Sequence, residues 1–338
     1  MRYLKVDQAQ KISRGAGVTV TVPDTDVAPH PDLVRNLLEG VDTTAGTAGD
    51  GRQDSDGHGT GMAGLIAAHG SGDNAGALGV APEAKILPIR GKQSSEGGDT
   101  EGLAEGIEFA ITQGADVISI SAVAGATIRL QRAIRAALQA NIVVVAGGGN
   151  VPADVNVGYP ASEPGVIAVG GVDRKGNHAA ISVAGPQIDV AAPAVDIYST
   201  SINGKYRVGT GTSDATAIVS GAAALIRSKY PNLPAEEVAH RLTATAIDKG
   251  PPGRDDEYGY GVIDLVAALT ADVPPLGFGS TKAAAPVPTR AAPEDGGVDD
   301  GATARGLATL GVLLAAGGGY LVWRRRRRAD DPPPRISR

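Results

Sequence analysis

Apolar residues along the chain fall into two kinds of run. Residues 18–22, 85–89, 116–120, 142–146 and 166–172 are short and rich in Val and Ile. Such runs pack well as strands buried on both faces. Between and after them, residues 59–68, 101–114, 128–141, 213–229 and 234–246 carry apolar positions at helical spacing. The run from 213 is built of small residues and stops before Pro231. The run from Pro234 has proline in its first turn, followed by Glu236 and Glu237, which suit a helix N-terminus. Strands that alternate with helices predict an α/β fold, with a mainly parallel sheet covered on both faces. Binding sites in such folds lie beyond the C-terminal ends of the strands.

The pattern stops after residue 272, which bounds the expected folded domain at residues 1–272. Residues 273–305 are rich in Pro, Ala and Gly, have no apolar period, and read as a linker. Residues 306–323 are 18 uncharged residues ending in Tyr320 and Trp323, and five consecutive arginines follow. As a helix this stretch would span about 27 Å, close to the hydrocarbon thickness of a bilayer. Aromatic residues at the interface and a cationic stop signal predict a transmembrane helix over 306–323 and a cytoplasmic tail over 324–338. A core helix is the competing reading, but it does not account for the linker before it or the arginines after it. The folded domain would then be extracytoplasmic on a single-pass protein of the cell membrane. Export calls for a leader, and residues 1–20 contain no apolar run of about 7–15 residues behind a basic start. The expectation is that a leader lies upstream of Met1.

Charge and composition narrow the function. The tail holds seven Arg and two Asp, so the total of −6 leaves −11 for the rest of the chain. An acidic body without a basic stripe argues against nucleic acid as a partner. The absence of Cys excludes thiol catalysis and thiolate metal sites. Asp50, Asp54, Asp56, Asp73 and Asn74 do not form the roughly 12-residue calcium-loop pattern and read as solvated loop charge. His30 reads as a turn residue. Neither a metal nor a cofactor is expected.

Three segments carry chemistry. Val22-Pro23-Asp24-Thr25-Asp26 ends a strand on a carboxylate. Asp56-Gly57-His58-Gly59-Thr60 opens a helix with an imidazole. Gly211-Thr212-Ser213 opens the small-residue helix with a hydroxyl. A serine becomes a nucleophile when an imidazole takes its proton, and a carboxylate holds that imidazole in the right tautomer. Each segment alone has a plainer reading, as turn, loop or helix cap. Their order, Asp then His then Ser, is the subtilisin-type order and differs from the other serine-protease arrangements.

On these residues the chain resembles the subtilisin-type (S8) serine proteases, and among them the membrane-anchored mycosins associated with type VII secretion. Gly79-Val80-Ala81-Pro82, Tyr159-Pro160-Ala161 and Ala191-Ala192-Pro193 add to the resemblance, as does the segment from Asp255 to Gly261. The resemblance implies a three-layer subtilisin-like fold and an endopeptidase acting on protein or peptide substrates. It implies a secretion complex as partner. It assigns Asp24 as orienting carboxylate, His58 as base, Ser213 as nucleophile and Asn150 as oxyanion donor. Read without the resemblance, Asn150 is a turn residue after the strand at 142–146. Ser119, Ile120, Ser121, Ala122 and Val123, with Gly147, Gly148 and Gly149, would bind substrate.

Four positions depart from the family pattern: Pro23 and Asp26 around the carboxylate, Asp214 after the serine, and Val123 where Gly is usual. Pro23 removes a strand N–H. Asp26 and Asp214 could act on His58, and Val123 could obstruct a bound peptide. A catalytically impaired protease fold that serves a secretion complex as a binding component is therefore the alternative function.

Overall fold

The computed structural model describes residues 3–44, 49–72, 76–95 and 99–277. The predicted transmembrane helix at 306–323, the tail at 324–338 and nearly all of the linker lie outside the described residues. Among the described residues no helix is long and apolar enough to cross a membrane.

The chain runs α1 (Val6–Ala9), β1 (Thr19–Asp24), β2 (Val41–Asp42), α2 (His58–Ala67), β3 (Lys85–Arg90), α3 (Thr100–Thr112), β4 (Val117–Ile120) and α4 (Ile128–Gln139). It continues through β5 (Val143–Gly147), β6 (Ile167–Val172), β7 (Val190–Pro193), β8 (Ile197–Thr200), β9 (Tyr206–Gly209), α5 (Thr212–Lys229), α6 (Ala235–Ala244) and α7 (Leu265–Thr270). Among the described residues seven strands form one sheet in the order β2-β3-β1-β4-β5-β6-β7, and every pairing in it is parallel. β8 and β9 form a separate antiparallel hairpin.

Alternate strand residues face opposite layers. Val117, Val143, Val145, Ile167 and Val169 join a core with α2 and α5, where Leu65, Ile66, Ile218 and Val219 are fully covered. Ile118, Ile120, Val144, Ala146 and Ala168 join a second core with α3 and α4, built on Leu103, Ile107, Leu130 and Ile134. Burial on both faces explains why these strands read as continuous apolar runs. Side chains set the helix starts. Asp99 accepts from the N–H groups of Glu101 and Gly102, and Thr127 accepts from that of Leu130.

The chain builds outward from β1 to β3 and β2 on one side, and to β4 through β7 on the other. A crevice opens where the direction reverses, beyond the C-terminal ends of β1 and β4. Asp24 ends β1 there, and Ser121 follows β4. α5 enters from the same end and packs against α2, β4, β5, β6 and β7. Its Ala, Gly, Ser and Thr side chains allow that approach. A Cβ on Gly221 would lie 2.7 Å from the Val80 Cβ.

Two departures from the sequence reading concern β1 and the domain's end. Pro23 sits inside β1, yet the ladder to β4 ends at Thr21 opposite Ile118. No β4 ladder bond is therefore lost at Pro23. Residues 273–277, assigned to the linker from sequence, lie against α6. There Pro274 O accepts from His240 Nε2 at 3.0 Å, and Leu276 N–H donates to Glu237 Oε1 at 2.7 Å.

Candidate active site

His58 is the first residue of α2. The turn before it is held by Asp54, which is buried and not a solvated loop charge as its setting in the sequence suggests. Asp54 Oδ1 accepts from Thr25 Oγ1, Asp56 N and Gly57 N at 2.8–3.0 Å. Its Oδ2 accepts from Thr60 N and Thr60 Oγ1 at 3.0 and 2.6 Å. Thr25 Oγ1 in turn accepts from Gly59 N at 3.0 Å, which ties α2 to the end of β1. Gly57 has φ +95°, a left-handed conformation that favours glycine. A Cβ on Gly59 would lie 2.1 Å from Asp26 O.

This framework sets the imidazole against β1. His58 Nδ1 lies 2.7 Å from Asp24 Oδ1, which also accepts from Thr25 N–H at 2.8 Å. Asp24 is fully buried, and its Oδ2 faces the Lys92 ammonium at 3.3 Å. Burial opposes ionisation of Asp24. The charges of His58 and Lys92, with the bonds from His58 and Thr25, outweigh it and hold the carboxyl well below the usual range.

Ser213 is the second residue of α5. It lines a cavity of about 360 Å³ together with Ser121, Ala122, Val123, Gly147, Gly149 and Asn150. Ser213 Oγ has no hydrogen-bond partner among the described residues. Hydrogen bonds between catalytic groups are often long before substrate arrives. Asn150 Oδ1 accepts from Thr212 N–H at 2.9 Å. A backbone N–H can only donate, so this bond fixes the amide and leaves Nδ2 as the free donor. The Ser213 N–H, in the first turn of α5, has no intrahelical acceptor.

Not every predicted binding residue reaches this cavity. Ser119 and Ile120 lie within β4 and are buried in the sheet. The wall starts at Ser121, where the strand has ended. Gly147 and Gly149 line the cavity, whereas Gly148 faces Ile188, whose Cδ1 would lie 2.7 Å from an added Cβ. Val123 points its methyls at Gly158, where they would meet an added Cβ at 2.5 and 2.8 Å. Its bulk is therefore taken up by a glycine across the cavity wall.

The two extra carboxylates have different surroundings. Asp214 is buried and paired with Arg207 Nη1 of β9 at 3.4 Å. Burial raises its pKa, and the charges of Arg207 and then His58 oppose the rise without cancelling it. Asp26, at φ +90°, is buried and its Oδ1 accepts no hydrogen bond. Burial pushes this carboxyl up to about 7, with Arg90 opposing the rise and Asp42 adding to it. The charges around Asp26 are those of Arg90, Asp42 and Asp54, not that of His58. Among the described residues no cluster of acidic and His side chains could hold a metal ion.

Sequence reasoning missed Lys92, Arg207 and Thr212. Lys92 looks like a surface charge in sequence, and its place beside Asp24 follows from the pairing of β3 with β1. Arg207 gave no signal either, because nothing in the local pattern marks the β8–β9 hairpin.

Residues 15–261 match the model of the subtilase family, peptidase S8. Subtilisin DY from Bacillus licheniformis is 39% identical over 272 residues, covering 78% of this chain and 96% of the relative. Mycosin-4 from Mycobacterium tuberculosis is 35% identical over 339 residues, covering 85% and 73%. The crystal structure of MycP1 with its N-terminal propeptide removed superposes with a TM-score of 0.74 at 32% identity, covering 81% of this chain and 96% of that one. The MycP3 protease from the type VII (ESX-3) secretion system gives 0.68 at 37% identity, covering 80% and 87%.

Proposed function

The chain belongs to the subtilase family of serine endopeptidases, and from that premise we propose that Asp24, His58 and Ser213 are its catalytic triad and Asn150 its oxyanion donor. The observation that carries this reading is the 2.7 Å contact between Asp24 Oδ1 and His58 Nδ1. It holds the imidazole in the tautomer whose Nε2 accepts a proton.

In the proposed reaction Ser213 Oγ attacks a peptide carbonyl while its proton passes to His58 Nε2. The oxyanion that forms is received by Asn150 Nδ2 and the Ser213 N–H. His58 then protonates the leaving amine, and the acyl group remains on Ser213. Water attacks that ester by the reverse sequence, with His58 as base, and the acid product leaves. The peptide lies beside Ser121, Ala122 and Val123 as an added strand.

An active-site-directed fluorophosphonate tests the reading. The full chain should be labelled at Ser213, and Ser213→Ala should take no label. An unlabelled but folded wild type would assign the fold to a binding role. We further propose a single-pass membrane protein with its peptidase domain extracytoplasmic. The uncharged stretch at 306–323 and the arginines after it support this. Association with a type VII secretion complex is supported by the similarity to Mycosin-4 and to the MycP3 protease.

A further inference from the structure

Lys92 is a charged residue that the proposed reaction does not use, and it is only 3% exposed. Its backbone N–H and that of Gly91 both bond to Asp24 O, at 3.3 and 2.9 Å. Its Nζ stands 3.3 Å from Asp24 Oδ2 and donates to Ser121 O, also at 3.3 Å. Ser121 Oγ donates to Ser213 O at 3.2 Å. Lys92 therefore joins the carboxylate side of the site to the segment that bears on the serine. Enclosing an ammonium is costly unless it is paired, and here the pair is with the carboxylate that orients the imidazole.

We propose that Lys92 is a positioning residue whose ammonium offsets the Asp24 charge that His58 meets, so that a neutral residue in its place favours the imidazolium. The inference rests on the triad reading. Its sign follows from the charges around His58. Asp24 on β1, Asp56 before α2 and Asp214 on α5 favour the imidazolium. Lys92 after β3 and Arg207 on β9 disfavour it. Asp54 spends both oxygens on its own turn. Lys92 opposes the nearest of the favouring groups and shares its burial, so its loss leaves the Asp24 charge uncompensated.

The test is the NMR titration of His58 in the full-length protein with isotope-labelled histidine, assigned by His58→Ala. Lys92→Met should raise the His58 midpoint by about one pH unit, and Lys92→Arg should leave it near wild type. Should Lys92→Met fail to fold, Lys92→Gln carries the same comparison and keeps a donor for Ser121 O. Equal midpoints in wild type and the neutral variant overturn the proposal. The rate of fluorophosphonate labelling against pH should follow the same midpoints. A wild type that takes no label would defeat the triad reading, while the titration still decides the role of Lys92.

Discussion

Two buried carboxylates stand within two residues of proposed catalytic groups; burial raises the pKa of both, and they differ in the cation that reaches them. Asp214 lies in the first turn of α5, where a negative charge is favoured, and Arg207 reaches it from the β8–β9 hairpin. The Arg207 guanidinium is also packed on α2, because an added Cβ on Gly61 would meet Arg207 Nη1 at 2.6 Å. Asp26 shares with Asp214 an Oδ1 that accepts no hydrogen bond, but it has a left-handed backbone and a nearby arginine that also pairs with Asp42 at 3.4 Å. A carboxylate beside an active site is thus not a defect in itself. Its effect depends on which cation the fold brings to it, and that cation here comes from an element distant in sequence.

The strongest way to break this contrast is to remove the cation from Asp214. Arg207→Met should cost about 2–3 kcal/mol of stability, because a buried carboxylate loses its partner. Adding Asp214→Ala should recover much of that loss. A double-mutant cycle by chemical denaturation measures the coupling, and additive losses would mean that the two side chains act independently.

Asp26 should respond in the opposite direction. Asp26→Gly relieves a left-handed residue and should stabilise the domain by about 1 kcal/mol at pH 4. The sign of its pH dependence follows from the raised pKa, about 7 in the fold against about 4 unfolded. Neutral Asp26 suits the fold, so its contribution is complete below about pH 4 and is lost as pH climbs through about 7. The advantage of Asp26→Gly should therefore grow between pH 4 and pH 8, as read from thermal melts. A constant advantage would show that the carboxyl is not strained by ionisation.

The smallest effect is expected on catalysis. Asp214→Asn removes a negative charge near His58 and should move the acid limb of kcat/KM to lower pH. Arg207 already offsets that charge, so the shift should stay under about half a pH unit. A shift as large as that of Lys92→Met, in the other direction, would mean that Arg207 gives no compensation.

Much of the sheet was legible because its central strands are covered on both faces and so read as apolar runs. Helices α2 to α6 had legible periods for the complementary reason. β2 has two residues and β7 reads Val-Ala-Ala-Pro, so neither carries a pattern of its own. The hairpin is half exposed and polar, and only its partner strand defines it. In the site, Asp24, His58 and Ser213 stand out by their order and neighbouring glycines, whereas Asn150 entered only through the family resemblance. Asp54 and Lys92 look like surface charges in sequence because burial depends on contacts far along the chain. Asp54 bonds to Thr25, 29 residues before it, and Lys92 bonds to Ser121, 29 residues after it.

The small-residue helix that carries Ser213 has a consequence for how the molecule wears out. α5 is buried from Thr212 to Arg227 with the sole interruption of Ser213, and it touches five strands of the sheet, β1 and β4 through β7. Amides there should exchange with solvent only when the whole domain opens, whereas those of the hairpin should exchange through local fraying. The nucleophile is therefore mounted on the segment with the longest-lived protection. Heat or proteolysis should erode the rim of the molecule while the serine keeps its setting, until a single cooperative opening removes both together.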